Sequence, residues 1–236
     1  MVLVAIISDI HANLTAMMAV LNDINARFQP DEIWCTGDVV GYYTRPSEVI
    51  KLVFGNCTPH CIIKGNHDDA VARETVLEHW NPKAAEAIRW TVKHLNVEER
   101  QLLYSLPTML TLEKNEHKIL LIHGGPEYPL EQYIRPDDTD YLEQCVDFME
   151  MVEFDYMFLG HVHVPFVYRS RGKTIVNSGS VGQPRDGNNR ACYCLFDSIT
   201  DEVTFQRVEY DYKETMNGVI ENDLPRGLAE RLPSGV

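Results

Sequence analysis

Val2-Leu3-Val4-Ala5-Ile6-Ile7-Ser8-Asp9-Ile10-His11 is the stretch from which the rest of the chain can be read. Its six consecutive apolar residues are too short a run for an ordinary helix. They show no polar alternation, the mark of a strand buried on both faces. The run stops at Ser8, and two side chains able to bind metal, Asp9 and His11, follow at once. Asn13 can cap a helix whose apolar positions Leu14, Met17, Leu21, Ile24 and Phe28 recur every three or four residues. Residues 32–36 read as a second strand. Pro46 starts a short helix carrying Val49, Ile50 and Val53, and residues 60–64 read as a third strand. The β-α-β-α-β order predicts a parallel sheet with right-handed crossovers.

Further along, residues 70–106 turn helical. Asn81-Pro82 opens a helix with Ile88, Val92 and Leu95 on one face, and Asn96 with Glu99 has capping-box spacing for the next. These helices are expected to form a small cap at about 70–106. The second half is richer in strands, expected at 118–122, 156–159, 166–170, 173–176, 192–196 and 203–208. A helix from about 137 to 151 interrupts them, Arg171-Gly172 makes a hairpin turn, and weak helix follows Tyr212. With no repeat, linker or low-complexity tract, residues 1–236 are read as one domain.

The charge balance narrows the partners. Twenty-one Lys and Arg against 35 Asp and Glu give −14, a surface that repels nucleic-acid phosphates and anionic lipids. Part of that charge is expected to sit in a metal site. No apolar run is long enough to span a membrane. The apolar start has no basic stretch before it and no small-residue cleavage site after it, so no signal peptide is expected. The six cysteines, Cys35, Cys57, Cys61, Cys145, Cys192 and Cys194, form no Cys-x-x-Cys pair. Buried reduced thiols and a cytoplasmic location are the expectation.

The chemistry lies in where certain residues fall. Asp9 and His11 follow the first strand, and Asp38 follows the second in Thr36-Gly37-Asp38. Asn66, His67 and Asp68 follow the third in Gly65-Asn66-His67-Asp68. His123 follows residues 118–122; His161 and His163 follow 156–159. Loops converge at the carboxyl ends of strands in α/β folds, so distant positions can meet there. Imidazole mixed with carboxylate and amide oxygen suits manganese, iron, cobalt, nickel or zinc and suits calcium poorly. Alone, Asp-x-His is more often a turn or helix cap, and Gly-Asn a turn. Five such pieces in order, each after an apolar run, are not expected by chance. His60, His79, His94 and His117 are left as ordinary residues.

These blocks resemble the calcineurin-like metallophosphoesterase superfamily: Asp-x-His, Gly-Asp, Gly-Asn-His-Asp, His-Gly and Gly-His-x-His, spanning about residues 3–185. Gly179 to Gly187, Gly-Ser-Val-Gly-Gln-Pro-Arg-Asp-Gly, is similar to a loop in a small single-domain bacterial and archaeal branch. The resemblance implies an α/β (α+β) fold, a four-layer α-β-β-α sandwich with two central mixed sheets. It implies one divalent metal held by Asp9, His11 and His163, a second held by Asn66, His123 and His161, and Asp38 bridging them. Manganese is favoured for both, with iron, zinc, nickel or cobalt as alternatives. A metal-bridging hydroxide would attack the phosphorus of a small phosphate ester in line. His67 would face the leaving group or a phosphate oxygen, oriented by Asp68 or Asp69. Arg185 is a candidate phosphate contact, and Asn13, Tyr42 and Tyr43 are candidates to line the pocket.

Departures from family patterns refine this. Protein phosphatases and symmetrical dinucleoside-tetraphosphatases follow Gly-Asp with Asp or Asn and then Arg-Gly. Here Gly37-Asp38 runs into Val39-Val40-Gly41-Tyr42, which weighs against both, although they stay as alternatives. A retromer subunit of this superfamily is a protein-binding scaffold that has lost the histidine of Gly-Asn-His-Asp. Here His67 is intact, and catalysis is favoured over the scaffold alternative. Phosphodiesters are favoured over monoesters, because a small cap leaves the pocket open. A homo-oligomer is compatible with these features.

Overall fold

The computed structural model describes residues 2–236. β1 (Leu3–Ile7) runs parallel to β2 (Glu32–Cys35) on one side and antiparallel to β8 (Ala191–Asp197) on the other. β9 (Glu202–Val208) completes a sheet of order β2-β1-β8-β9. The second sheet contains β3 (Met109–Lys114), β4 (His117–Ile122), β5 (Tyr156–Leu159), β6 (Phe166–Ser170) and β7 (Lys173–Asn177), in the order β3-β4-β5-β7-β6. β4, β5 and β7 are parallel, and both edges are antiparallel. Arg171-Gly172 turns the β6-β7 hairpin, both residues at positive φ, as expected.

Three apolar cores separate four layers. Met17 and Val20 of α1 (Leu14–Asp23) and Val49, Ile50 and Val53 of α2 (Pro46–Asn56) pack on the outer face of the first sheet, against Ala5, Ile7, Cys35 and Tyr193. The inner faces meet through Val4, Ile6, Trp34, Cys194 and Phe196 on one side and Ile119, Leu121, Phe158 and Val176 on the other. Leu142, Cys145, Val146 and Met149 of α6 (Thr139–Met151) cover the second sheet. This is the α-β-β-α sandwich. α3 (Asn66–Arg73) packs against α4 (Pro82–His94) and α5 (Val97–Ser105). Ala70, Val71, Ile88 and Leu103 of these helices join the first core. α7 (Tyr212–Glu221) and α8 (Arg226–Glu230) pack on each other, and α7 also packs on α1.

Three local expectations need correction. The strand at 60–64 is reduced to one parallel bridge, Cys35 with Ile62. His60 sits at φ 65, and the Lys64 N–H bonds the carbonyl of Pro107, so no ladder continues. The parallel sheet inferred from β-α-β-α-β order is instead half of a mixed sheet, because β8 and β9 return from the far end of the chain. β3 was not expected; it is an edge strand with no buried residue, so it lacks a strong apolar signature. The six cysteines are free and buried, as expected. Among the described residues no helix is long and apolar enough to cross a membrane.

Phe158 contacts Trp34 and Phe196 across the sheet interface, with ring centroids 6.0 and 5.4 Å away. Phe158→Ala should destabilise the protein by about 3–5 kcal/mol in denaturant unfolding, whereas the exposed Ile199→Ala should stay within about 0.5 kcal/mol. Equal effects would show that the two sheets do not depend on this contact.

Candidate metal centre

The expected ligands lie just beyond the carboxyl ends of β1, β2, β4 and β5 and at the start of α3, where the two sheets meet. Asp9, His11, Asp38, His123, His161 and His163 are all buried. His163 Nε2 is 3.2 Å from Asp9 Oδ1, and His11 Nε2 is 3.1 Å from His163 Nε2. Asp38 Oδ2 lies 3.4 Å from His123 Nε2 and 3.6 Å from His11 Nε2. Donor atoms of Asp9, His11 and His163 fall within 4.8 Å of one another. Those of Asp38, His123 and His161 do the same, as do those of His11, Asp38 and His67.

Backbone strain concentrates here. Asp9, His11, Asp38, His161 and His163 all have φ between 51 and 70, the left-handed region that non-glycine residues seldom occupy. Each carboxylate is held by a peptide donor from another loop. The His161 N–H donates to both oxygens of Asp9 at 3.1 Å, and the His67 N–H at the start of α3 donates to Asp38 Oδ1 at 2.9 Å. Two glycines permit the approach. A Cβ on Gly65 would lie 2.1 Å from Asp38 Oδ1, and one on Gly160 would lie 2.9 Å from Asp9 Oδ2.

The imidazoles are oriented by main-chain carbonyls. Nδ1 of His11, His123 and His163 faces the carbonyls of Val40, Thr36 and Gln183 at 3.2, 2.8 and 2.6 Å. Nε2 of His161 faces the Glu131 carbonyl at 3.3 Å. A carbonyl only accepts, so that ring nitrogen carries the proton and the opposite one keeps its lone pair. Nε2 of His11 and His163 and Nδ1 of His161 are thereby left as lone-pair donors, and Nε2 of His123 becomes one once its second proton leaves. Asn66 Oδ1 and His123 Nε2 are buried with no hydrogen-bond partner. This set of hard oxygens and imidazole nitrogens fits divalent first-row cations.

The sequence matches the family model of the calcineurin-like phosphoesterase superfamily domain over residues 2–201. The chain belongs to that superfamily. An uncharacterized protein of Methanocaldococcus jannaschii is 37% identical across 98% of this chain and 97% of its own length. A metallophosphoesterase structure from Sphaerobacter thermophilus is similar at TM-score 0.83 and 36% identity, over 100% of this chain and 99% of that one. A hypothetical protein of Pyrococcus horikoshii shares the fold at TM-score 0.90 and 24% identity, with 100% and 99% coverage.

Within this superfamily fold the remaining candidates separate. The His67 ring lies among those of Tyr42, His11 and Trp80, at 4.5, 4.8 and 5.1 Å, and its buried Nδ1 has no partner. Neither expected carboxylate orients it. Asp68 accepts from the N–H groups of Val39, Val40 and Gly65, which ties α3 to the Asp38 loop, while Asp69 pairs with Lys64 and Arg73. Asn13 caps α1, and Tyr43 is buried with its hydroxyl between Gln183 and Leu228; Tyr42 does reach the centre. Arg185 lies beside Tyr42, one ring away from the histidines. Gln183, Glu131 and Tyr133, whose ring is 4.0 Å from that of His161, were not foreseen. Two act through a main-chain carbonyl, which no residue type advertises.

Burial dominates the proton balance. It pushes His67 down to about 4 and His161 to about 3, and lowers His11 and His163, so these rings are neutral near pH 7. Burial would also lower His123, but the charge of Asp38 outweighs it and raises His123 to about 9. Asp9 and Asp38 stay ionised despite burial, because His163 lowers the first and His123 the second. Burial and the Asp38 charge lift Asp68 to about 7. Without a metal His123 thus holds a proton, which a cation bound through its Nε2 would have to displace.

A folded pKa above the ordinary imidazole value stabilises fully below about 6.5, and that contribution is gone above about 9. Metal-stripped protein should therefore lose thermal stability between about pH 7 and 8.5, and His123→Gln should flatten the slope. Parallel pH profiles would show that His123 is not the protonated group.

Proposed function

We propose that this chain hydrolyses phosphate esters with two divalent cations, diesters ahead of monoesters. The observation that carries the reading is the set of four buried imidazoles, each anchored on a carbonyl and presenting its other nitrogen towards the Asp9 and Asp38 carboxylates. Such an arrangement gathers negative charge that a cation would offset, and it would keep the ligands oriented before the cation arrives.

Asp9, His11 and His163 would hold one cation, and Asn66, His123 and His161 the other, with Asp38 shared; manganese leads, with iron, zinc, nickel or cobalt behind it. Bound there, the pair would supply Lewis-acid charge for the phosphate oxygens and a lowered pKa for water. The protein's own part is positioning. His67, neutral by burial, offers a ring N–H to a phosphate or leaving-group oxygen, and the nearby anion would favour its protonation. Tyr42 and Trp80 fix its ring. Asp68 holds the loop that carries Asp38, so the shared ligand and His67 move as one unit. A cavity of about 430 Å³ adjoins the centre behind Tyr42 and Tyr133, with room for the second substituent of a diester.

The manganese-loaded protein should hydrolyse bis-p-nitrophenyl phosphate. Asp38→Ala should remove that activity together with metal, whereas His67→Ala should lower kcat by about 10²–10⁴-fold and keep the metal. A protein that binds two cations and cleaves nothing in a panel of diesters and monoesters would sink the proposal.

A further inference from the structure

We propose that the cavity beside the metal centre is a subsite for a second phosphate group on the substrate, gripped by Arg185 and Arg231. The inference deepens the phosphoesterase reading, resting on it for what occupies the centre itself. The cavity is lined by Tyr42, Lys83, Tyr133, Arg185 and Arg231 among others, and no Asp or Glu contributes to its wall. In a chain of net charge −14, three cationic side chains with no Asp or Glu among them are unexpected.

The two guanidinium groups are built into place. Arg185 Nη2 donates to Gln183 Oε1 at 2.8 Å, and Arg231 Nη1 donates to that same oxygen at 2.9 Å. The Gln183 amide is fixed in turn, because its Nε2 donates to the Tyr43 hydroxyl at 3.0 Å. Arg185 Nη2 also reaches the Tyr42 hydroxyl at 3.3 Å, and Arg231 Nε donates to the oxygen of Val236. Among the described residues neither arginine has a carboxylate side chain within ion-pair distance. Two cations thus share one neutral oxygen, an arrangement that burial and mutual repulsion disfavour and that a bound dianion would relieve. Planar, multidentate donors of this kind match phosphate geometry.

The position says how the second group relates to the first. The Tyr42 ring is 4.5 Å from those of both His11 and His67, and the Arg185 guanidinium is 5.9 Å from the Tyr42 ring. Tyr133, on the same wall, stacks near His161. The subsite therefore lies about one aromatic ring from the centre. A molecule whose two phosphates are separated by a sugar or a linker of similar size would occupy both. The sequence singled out Arg185 alone; Arg231, 46 residues later, completes the pair only in the fold.

Two measurements test this. In EDTA, metal-stripped protein should bind thymidine 3′-monophosphate at least about tenfold more tightly than unphosphorylated thymidine by titration calorimetry. Arg231→Met should erase that difference, and Arg231→Lys, which keeps charge but not the planar fork, should retain part of it; thermal melts would confirm that both fold. With manganese, thymidine 5′-(p-nitrophenyl phosphate) and its 3′-phosphorylated counterpart give a matched substrate pair. The wild type should favour the second by about tenfold in kcat/KM, chiefly through KM, and Arg231→Met should abolish the preference. Equal binding of thymidine 3′-monophosphate and thymidine by the wild type, or equal losses on both substrates in the variant, would overturn the subsite while leaving the esterase in place. Cleavage of neither ester with the binding difference intact would overturn the esterase reading and leave the anion subsite standing.

Discussion

Two carboxylates, Asp9 and Asp38, are buried where the sheets meet, and the local structure is arranged around that desolvated charge. A buried carboxylate is costly unless donors or cations surround it. Each one here takes a peptide N–H from a loop distant in sequence, His161 for Asp9 and His67 for Asp38. The first of these bonds joins a loop of one sheet to a loop of the other. His123 adds a second such link by donating from a β4 loop to the carbonyl of Thr36 after β2. The site is therefore also part of what holds the sandwich in register at this end.

Away from that end, packing does the work. Trp34, Phe158 and Phe196 fill the space between the sheets, and rigid strands carry the loops that are strained. Five ligand candidates in left-handed backbone conformations would not hold in a free loop. They persist because the strands on either side fix the chain and because main-chain groups hold the side chains, an N–H on each carboxylate and a carbonyl on one nitrogen of each ring. Rigidity in the core and strain in the loops are complementary parts of one design.

Charge is distributed unevenly for a reason the fold makes plain. The acidic excess lies over the surface and in the buried centre, while Lys83, Arg185 and Arg231 gather at the mouth. An anionic substrate approaching a net-negative molecule would meet an attractive field there. Aromatic rings of Tyr42 and Tyr133 stand between that cavity and the histidines, so the same residues wall the cavity and brace His11 and His161.

Much of this was legible in the residues themselves. Apolar runs located β1, β2, β4, β5 and β7, and the polar side chains that interrupt them marked the candidate ligands, because strand ends and loop chemistry are local properties. What failed was non-local. Residues 60–64 had strand composition but lost their ladder to a turn at His60, and β3 had no buried face to betray it. Sequence by itself determined which side chains could bind metal and roughly where each loop begins. Only the tertiary structure decided that Asp68 braces a loop rather than His67, that carbonyls of Val40, Thr36, Glu131 and Gln183 aim the imidazoles, and that Arg231 joins Arg185. Those outcomes depend on backbone groups and on chain ends brought together by packing, and a backbone carbonyl reads the same at every position until the fold points it somewhere.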